Sequence, residues 1–133
     1  MTQSQKRLRF DKADVGIEGP DTCRVEVTFS FGDRVIVTSA TAGDDEAGRL
    51  KAAAEAALRA VEQAVGGRIR CHLADLDHVN ALGKDLIAVL VDVQFEGKEV
   101  QLFGSCQVQD SDLATSVKAA LNATNRIVEL VMR

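Results

Sequence analysis

Two short segments hold most of the residues in this chain that can do chemistry, and each stands just ahead of a helical stretch. The first contains Gly43 and Asp44, followed by Asp45 and Glu46; the second runs through Gly104, Ser105, Cys106 and Gln107 to Asp110 and Ser111. Glycine lets a backbone approach a ligand closely, and the free N–H groups of a helix N-terminus accept a carboxylate. An acidic side chain holds an ammonium group, while an aliphatic tail requires a dry pocket. Together these are the requirements of a small amino or oxo acid, so Gly43, Asp44, Gly104, Ser105, Cys106, Gln107, Asp110 and Ser111 are the candidate ligand-binding residues. Helix capping is the competing role. Asp110, Ser111 and Asp112 suit it equally well, and in the first segment the crowded charge of Asp44, Asp45 and Glu46 favours capping over an anion.

Other chemistries find less support. Cys71, His72, His78 and Cys106 are the residue types of a metal or Cys-His catalytic set. Neighbours on a strand point to opposite faces, however, so Cys71 and His72 do not converge on one ion. Glycines in Phe31-Gly32-Asp33-Arg34 and Glu96-Gly97-Lys98-Glu99 read as hairpin turns rather than phosphate loops. No serine sits in a nucleophile elbow. The expectation is a non-catalytic chain without metal or cofactor. The cysteines, Cys23, Cys71 and Cys106, are odd in number and widely spaced, which fits reduced thiols packed as small apolar residues.

The elements that must position these residues occur twice. Arg7-Leu8-Arg9 followed by Ala13-Asp14-Val15 is matched by Arg68-Ile69-Arg70 followed by Ala74-Asp75-Leu76, and both openings read as strands. Val25, Val27 and Phe29, a turn at Gly32, then Val35 and Val37 form a hairpin pattern. Val91, Val93 and Phe95, a turn at Gly97, then Val100 and Leu102 repeat it. Helical stretches from Arg49 to Val65 and from Ser116 to Met132 share seven of seventeen positions, among them Lys51 with Lys118, Ala56 with Ala123 and Arg59 with Arg126. The spacing predicts an α+β protein: two pseudo-symmetric βββα units, each helix packed on an antiparallel sheet. One domain spans residues 1–133, with a first unit over about 6–65, a second over about 68–133, and Gly66-Gly67 at the joint. Residues 76–86 read as a loop.

In each helix one stripe is apolar: Leu50, Ala54, Ala57, Leu58, Val61 and Val65 in the first, Leu113, Val117, Ala120, Leu121, Thr124, Val128 and Val131 in the second. Odd positions from Cys23 to Phe31 and from Ile87 to Phe95 are apolar, so one face of each sheet meets a helix and the other is mostly polar. Ala52, Ala53, Ala56 and Ala60 allow another helix close to the first. Arg126 and Glu129 read as solvated, as do Arg59 and Glu62. Asn122 and Asn125 have poor helix propensity and are the candidate subunit-interface residues.

The segment GSCQVQDSDLATSVKAALNATNRI resembles the end of the C-terminal regulatory domain of 2-isopropylmalate synthase and citramalate synthase, through Gly104, Asp110, Ser116, Lys118, Ala119 and Asn125. That domain is also built of two βββα units about a pseudo-twofold, and TAGDDEAG, Thr41 to Gly48, stands where its first loop would be. The resemblance implies a stand-alone relative of an allosteric, dimerising domain that binds leucine or isoleucine near the loops preceding its helices. It implies a homodimer, a small metabolite such as a branched-chain amino acid, a partner enzyme, and a place in branched-chain amino acid biosynthesis. The pattern is altered here: Cys106 stands at the second loop glycine, and only Gly43 precedes the acidic run in the first half. A chain of 133 residues beginning at Met1 also leaves no room for the family's catalytic TIM barrel. A structural or interaction subunit that keeps the fold without the ligand is the alternative.

Composition narrows the remaining classes. Twenty acidic against sixteen basic residues give a net charge of -4, which argues against nucleic acid or anionic lipid as a partner. No apolar run reaches the ~20 residues needed to span a bilayer, and the start, MTQSQKRLRF, lacks a signal-peptide core, so a cytoplasmic location is expected. Trp and Tyr are absent and only five Phe are present, leaving the core to Val, Leu, Ile and Ala.

Overall fold

The computed structural model describes residues 7–132. Its elements are β1 (Leu8–Gly19), β2 (Thr22–Phe31), β3 (Arg34–Gly43), α1 (Glu46–Ala64), β4 (Ile69–Ala81), β5 (Lys84–Phe95), β6 (Lys98–Gln107) and α2 (Asp112–Val131). One antiparallel sheet has the order β1-β2-β3 and the other β4-β5-β6. The expected α+β class and the repeated βββα layout are both present. The outer limits read for the two units, residues 6 and 133, lie outside the described residues.

Alternation sets the inner face of each sheet. Cys23, Val25, Val27, Phe29 and Phe31 are buried along β2, and Ile87, Val89, Val91 and Val93 along β5. Because side chains alternate strictly, a slip of one residue would turn either set into water, so burial fixes the register. α1 touches β2 and β3 of its own unit and also β4 and α2; α2 touches β5, β6, β1 and α1. Each helix therefore contacts both sheets, and a single core contains residues of both units. This is why Ala52, Ala53, Ala56 and Ala60 are all 0% exposed. Larger side chains would hold the neighbouring elements apart. Only a narrow strip of α1, including Lys51, Arg59 and Gln63, faces solvent.

The helices lie side by side and parallel. Near their starts, the Ser116 hydroxyl donates to the carbonyl of Leu50 at 2.6 Å. Just past the end of α1, Arg68 donates to the Val131 carbonyl at the end of α2. α1 stops in a Schellman turn: Gly66 and Gly67 have φ of 66° and 77°, and their N–H groups bond to the carbonyls of Gln63 and Glu62.

Two sequence readings need correction. Residues 76–86 are not a loop, since β4 continues to Ala81, β5 starts at Lys84, and Leu82-Gly83 makes a two-residue turn with φ of 55° and 73°. Positive φ at both positions belongs to a type I′ hairpin, where Asn or Asp is usual in the first place. Leu82 hides that signal, and its conformation costs about 1 kcal/mol. The hairpin alignment also shifts. Phe31 pairs with Arg34 and Phe95 with Lys98, so Phe31, rather than Phe29, is the counterpart of Phe95. The first turn is Gly32-Asp33 and the second Glu96-Gly97, so glycine occupies opposite turn positions and is a poor anchor for alignment.

Candidate functional site at the paired helix N-termini

Because the helices are parallel, both loops singled out by sequence lead to the same end of the molecule. Glu46 is the first residue of α1 and Asp112 the first of α2. Their carboxylates and the His78 ring present atoms that all lie within 4.8 Å of one another. Helix N-termini carry about half a positive charge each, so side by side they repel unless acidic groups offset them. The sequence provides those groups at both starts.

The first loop is largely committed to local structure. Gly43 closes β3, and its carbonyl accepts from the N–H of Asp45 at 2.9 Å. A Cβ at Gly48 would stand 1.9 Å from that same carbonyl oxygen, so the first turn of α1 needs a glycine to lie against the strand end. Asp44 forms an ion pair with Arg49 at 3.3 Å. Asp45 is the N-cap, accepting from the N–H of Gly48 at 2.7 Å.

The second loop divides differently. Gly104 lies within β6 and faces α2, where an added Cβ would come 2.4 Å from the Ala119 carbonyl oxygen. It is a close-packing glycine. The Ser105 carbonyl accepts from the Asn122 side chain at 2.9 Å, which ties that candidate interface residue to its own strand. Asn125 is half-buried on α2. Cys106 is half-buried on the inward side of β6, opposite Ile87, and Gln107 is exposed at the strand end. Asp110 is exposed in the bend before α2. Ser111 is the N-cap, accepting from Ala114 at 3.3 Å, and its carbonyl accepts from the N–H and hydroxyl of Thr115.

His78, which the sequence offered only as part of a Cys-His or metal set with Cys71, His72 and Cys106, and Asp85, which it did not single out, stand between the two starts. Nδ1 of His78 lies 3.1 Å from Glu46 Oε1, and Nε2 lies 2.7 Å from Asp85 Oδ1. The hydrogen bond to Glu46 raises the pKa of His78 above its ordinary value; Asp85 and Asp112 add to the rise, and partial desolvation opposes it. The imidazole thus bridges the first unit, through Glu46, and the β4–β5 hairpin of the second, through Asp85. The sequence signal was weak because the four residues come from four elements with no fixed spacing.

Cys71 and His72 are confirmed on opposite faces: Cys71 pairs with Val93 on the inner side and His72 with Asp92 on the outer. Burial first and the Glu62 carboxylate second push the Cys71 thiol up to about 12 against the opposing Arg59, so it stays a protonated, poorly nucleophilic thiol. Arg59 and Glu62 are not simply solvated. Arg59 donates to the Cys71 carbonyl and Glu62 accepts from its N–H at 2.8 Å, satisfying the free edge of β4 from α1. In α2, Glu129 instead pairs with Arg7 at 3.1 Å. A broad groove of about 760 Å³ opens at the other end of α1, bordered by Arg34, Thr38, Arg59, Glu62 and Gly66-Gly67. Among the described residues, no helix is long and apolar enough to cross a membrane.

Neither a scan against protein-family models nor a search of curated proteins finds a match to this chain.

Proposed function

We propose that this chain is a non-catalytic regulatory and dimerising domain that binds a small amino acid at the shared N-terminal end of α1 and α2. One observation supports the reading: two loops far apart in sequence lead to the same end of the molecule, where Glu46 of the first unit meets His78 and Asp112 of the second. A ligand there touches both units, so it can favour one arrangement of the pair over another, which is what regulation by binding requires. Each cap occupies one first-turn amide, and the earlier amides of each helix remain suited to a carboxylate. Glu46, Asp85 and Asp112 suit an ammonium group. That surplus of acid favours an amino acid over the corresponding 2-oxo acid, in keeping with the leucine- or isoleucine-sensing domain that the sequence resembles. The partner enzyme and the role in branched-chain amino acid biosynthesis belong to this proposal and rest on the resemblance, and the cytoplasmic location belongs to it on the strength of the sequence's apolar runs and N-terminal composition.

Homodimerisation has its own support. On the outer face of the second sheet, Leu86, Ala88 and Leu90 of β5 lie beside Val79 of β4 and Phe103 of β6, and Phe103 is 68% exposed. Contiguous exposed apolar groups of this kind mark contact surfaces. The same patch favours the alternative, a scaffold without a ligand.

A thermal-shift panel of amino acids and 2-oxo acids, read with light scattering for mass, separates the two. A ligand at about a hundred times its dissociation constant adds about 2.7 kcal/mol. The regulatory reading expects a shift confined to branched-chain amino acids and reduced in Asp110→Ala. A well-folded dimer that responds to none of them would leave only the scaffold.

A further inference from the structure

We infer that Glu46, His78 and Asp112 form a binding site for a divalent transition-metal ion of the zinc class, with Asp85 as the positioning residue that orients the imidazole. The inference requires no organic ligand, and it draws on Glu46 and Asp112, the carboxylates assigned above to an ammonium group, so the ion and an amino acid would compete for them.

The donor set has the right chemistry. Imidazole nitrogen and carboxylate oxygen are both zinc ligands, and three protein groups with water in the remaining positions make an open site. Glu46 Oε1 already stands 3.1 Å from His78 Nδ1, close to the separation of two ligands on a common ion. The full set lies within 4.8 Å, and Glu46 is exposed, so closing the remaining gap requires side-chain rotation rather than backbone movement.

The second observation is the far side of the ring. His78 Nε2 meets Asp85 Oδ1 at 2.7 Å, on a different strand from His78. In the neutral ring whose Nε2–H donates to that carboxylate, Nδ1 is left as the lone-pair nitrogen, on the side of Glu46. A carboxylate holding the outer N–H of a metal-binding histidine is the usual support of such a ligand. Asp85 is itself held, since its carbonyl accepts from the N–H of Val108 at 2.8 Å.

Charge points the same way. Glu46, Asp85 and Asp112 bring three negative charges, and the two helix N-termini together offset about one of them. A divalent ion on a neutral His78 balances the remainder, whereas a proton on His78 balances half of it. The ion would join Glu46 of the first unit to His78 and Asp112 of the second.

The test uses chelator-treated protein of the full chain without any amino acid, with Zn²⁺ titrated by calorimetry and Co²⁺ as the visible probe. We expect one ion per chain, with Co²⁺ d–d bands that Zn²⁺ displaces. His78→Gln should abolish both signals, and Asp85→Asn should weaken Zn²⁺ by about 10- to 100-fold. His72→Gln is the control, because His72 lies on the outer sheet face opposite Asp92, and it should bind as the parent does. Far-UV circular dichroism checks that each variant is folded. No heat and no Co²⁺ bands in the folded parent would overturn the site, as would unchanged binding in folded His78→Gln or an equal loss in His72→Gln. Failure here leaves the amino-acid panel unaffected, and failure of that panel leaves the metal titration unaffected.

Discussion

The outward faces of the two sheets differ far more than their inward faces. With Phe31 set against Phe95, the buried series of β2 lies over the buried series of β5, and every inward position is apolar in both. Outward, Thr22, Arg24 and Glu26 on β2 occupy the places taken by Leu86, Ala88 and Leu90 on β5, and Ser39 on β3 occupies that of Phe103 on β6. A repeated fold constrains the faces that meet the helices, since packing there is felt to the methylene. Solvent imposes no such limit. The first outer face carries its exposed apolar groups on β3, at Val35 and Val37, whereas the second carries them across its strands, at Val79, Leu86, Ala88, Leu90 and Phe103.

The most severe way to test the correspondence is at the two glycines that permit close approach. Gly104 admits α2 to β6, and Gly48 admits the start of α1 to the end of β3. Alanine at either should destabilise the fold by about 3 kcal/mol, since the obstructing atoms are backbone and have little room to yield. Ala40 is the counterpart of Gly104, and Ala40→Gly should cost only about 1 kcal/mol. Urea denaturation measures all three. A loss at Gly104 no larger than that at Ala40 would mean that the two sheets meet their helices equivalently.

Exchanging the outer faces comes next. Leu90→Glu with Phe103→Ser gives the second sheet the residue types found at Glu26 and Ser39. If the proposed homodimer is built on this face, light scattering should then fall from twice the chain mass to the chain mass, while the midpoint of thermal unfolding changes by only a few degrees. A dimer unaffected by the exchange places its interface elsewhere.

A smaller effect is expected at the helix crossing. Ser116→Ala removes the bond to the Leu50 carbonyl and should cost about 1 kcal/mol in the same denaturation assay. The smallest belongs to His78. Its pKa is raised in the folded chain, so the protonated form stabilises folding: the contribution is full below the unfolded pKa of about 6.5 and is lost as pH rises through the higher folded value. Stability curves for parent and His78→Gln, measured without metal, should therefore differ more at about pH 5.5, below the unfolded value, than at about pH 8. Parallel curves would remove the ion bridge between the units.

Much of the fold was legible because local patterns carry it. Alternation exposed the buried strands, the acid-to-glycine limits marked α1, and the recurrence of Arg7-Leu8-Arg9 as Arg68-Ile69-Arg70 exposed the repeat. The turn at Leu82-Gly83 was hidden by a leucine in a place that usually favours Asn or Asp. For the site, Asp44, Asp110 and Ser111 were legible as loop and capping residues, but Gly104 read as a ligand glycine when its constraint comes from a helix backbone. His78 was grouped by type with Cys71, His72 and Cys106, and Asp85 was not singled out, because the actual partners Glu46, Asp85 and Asp112 lie on other elements.

By itself the sequence determined the quantities that depend on neighbours along the chain: strand faces, helix limits and the order of the two βββα units. Tertiary structure decided what depends on distance in space. Parallel packing of α1 and α2, held at one end by Ser116 and at the other by Arg68, brought Glu46, His78, Asp85 and Asp112 together. No local rule encodes that meeting, because it follows from how two amphipathic units bury their faces against each other.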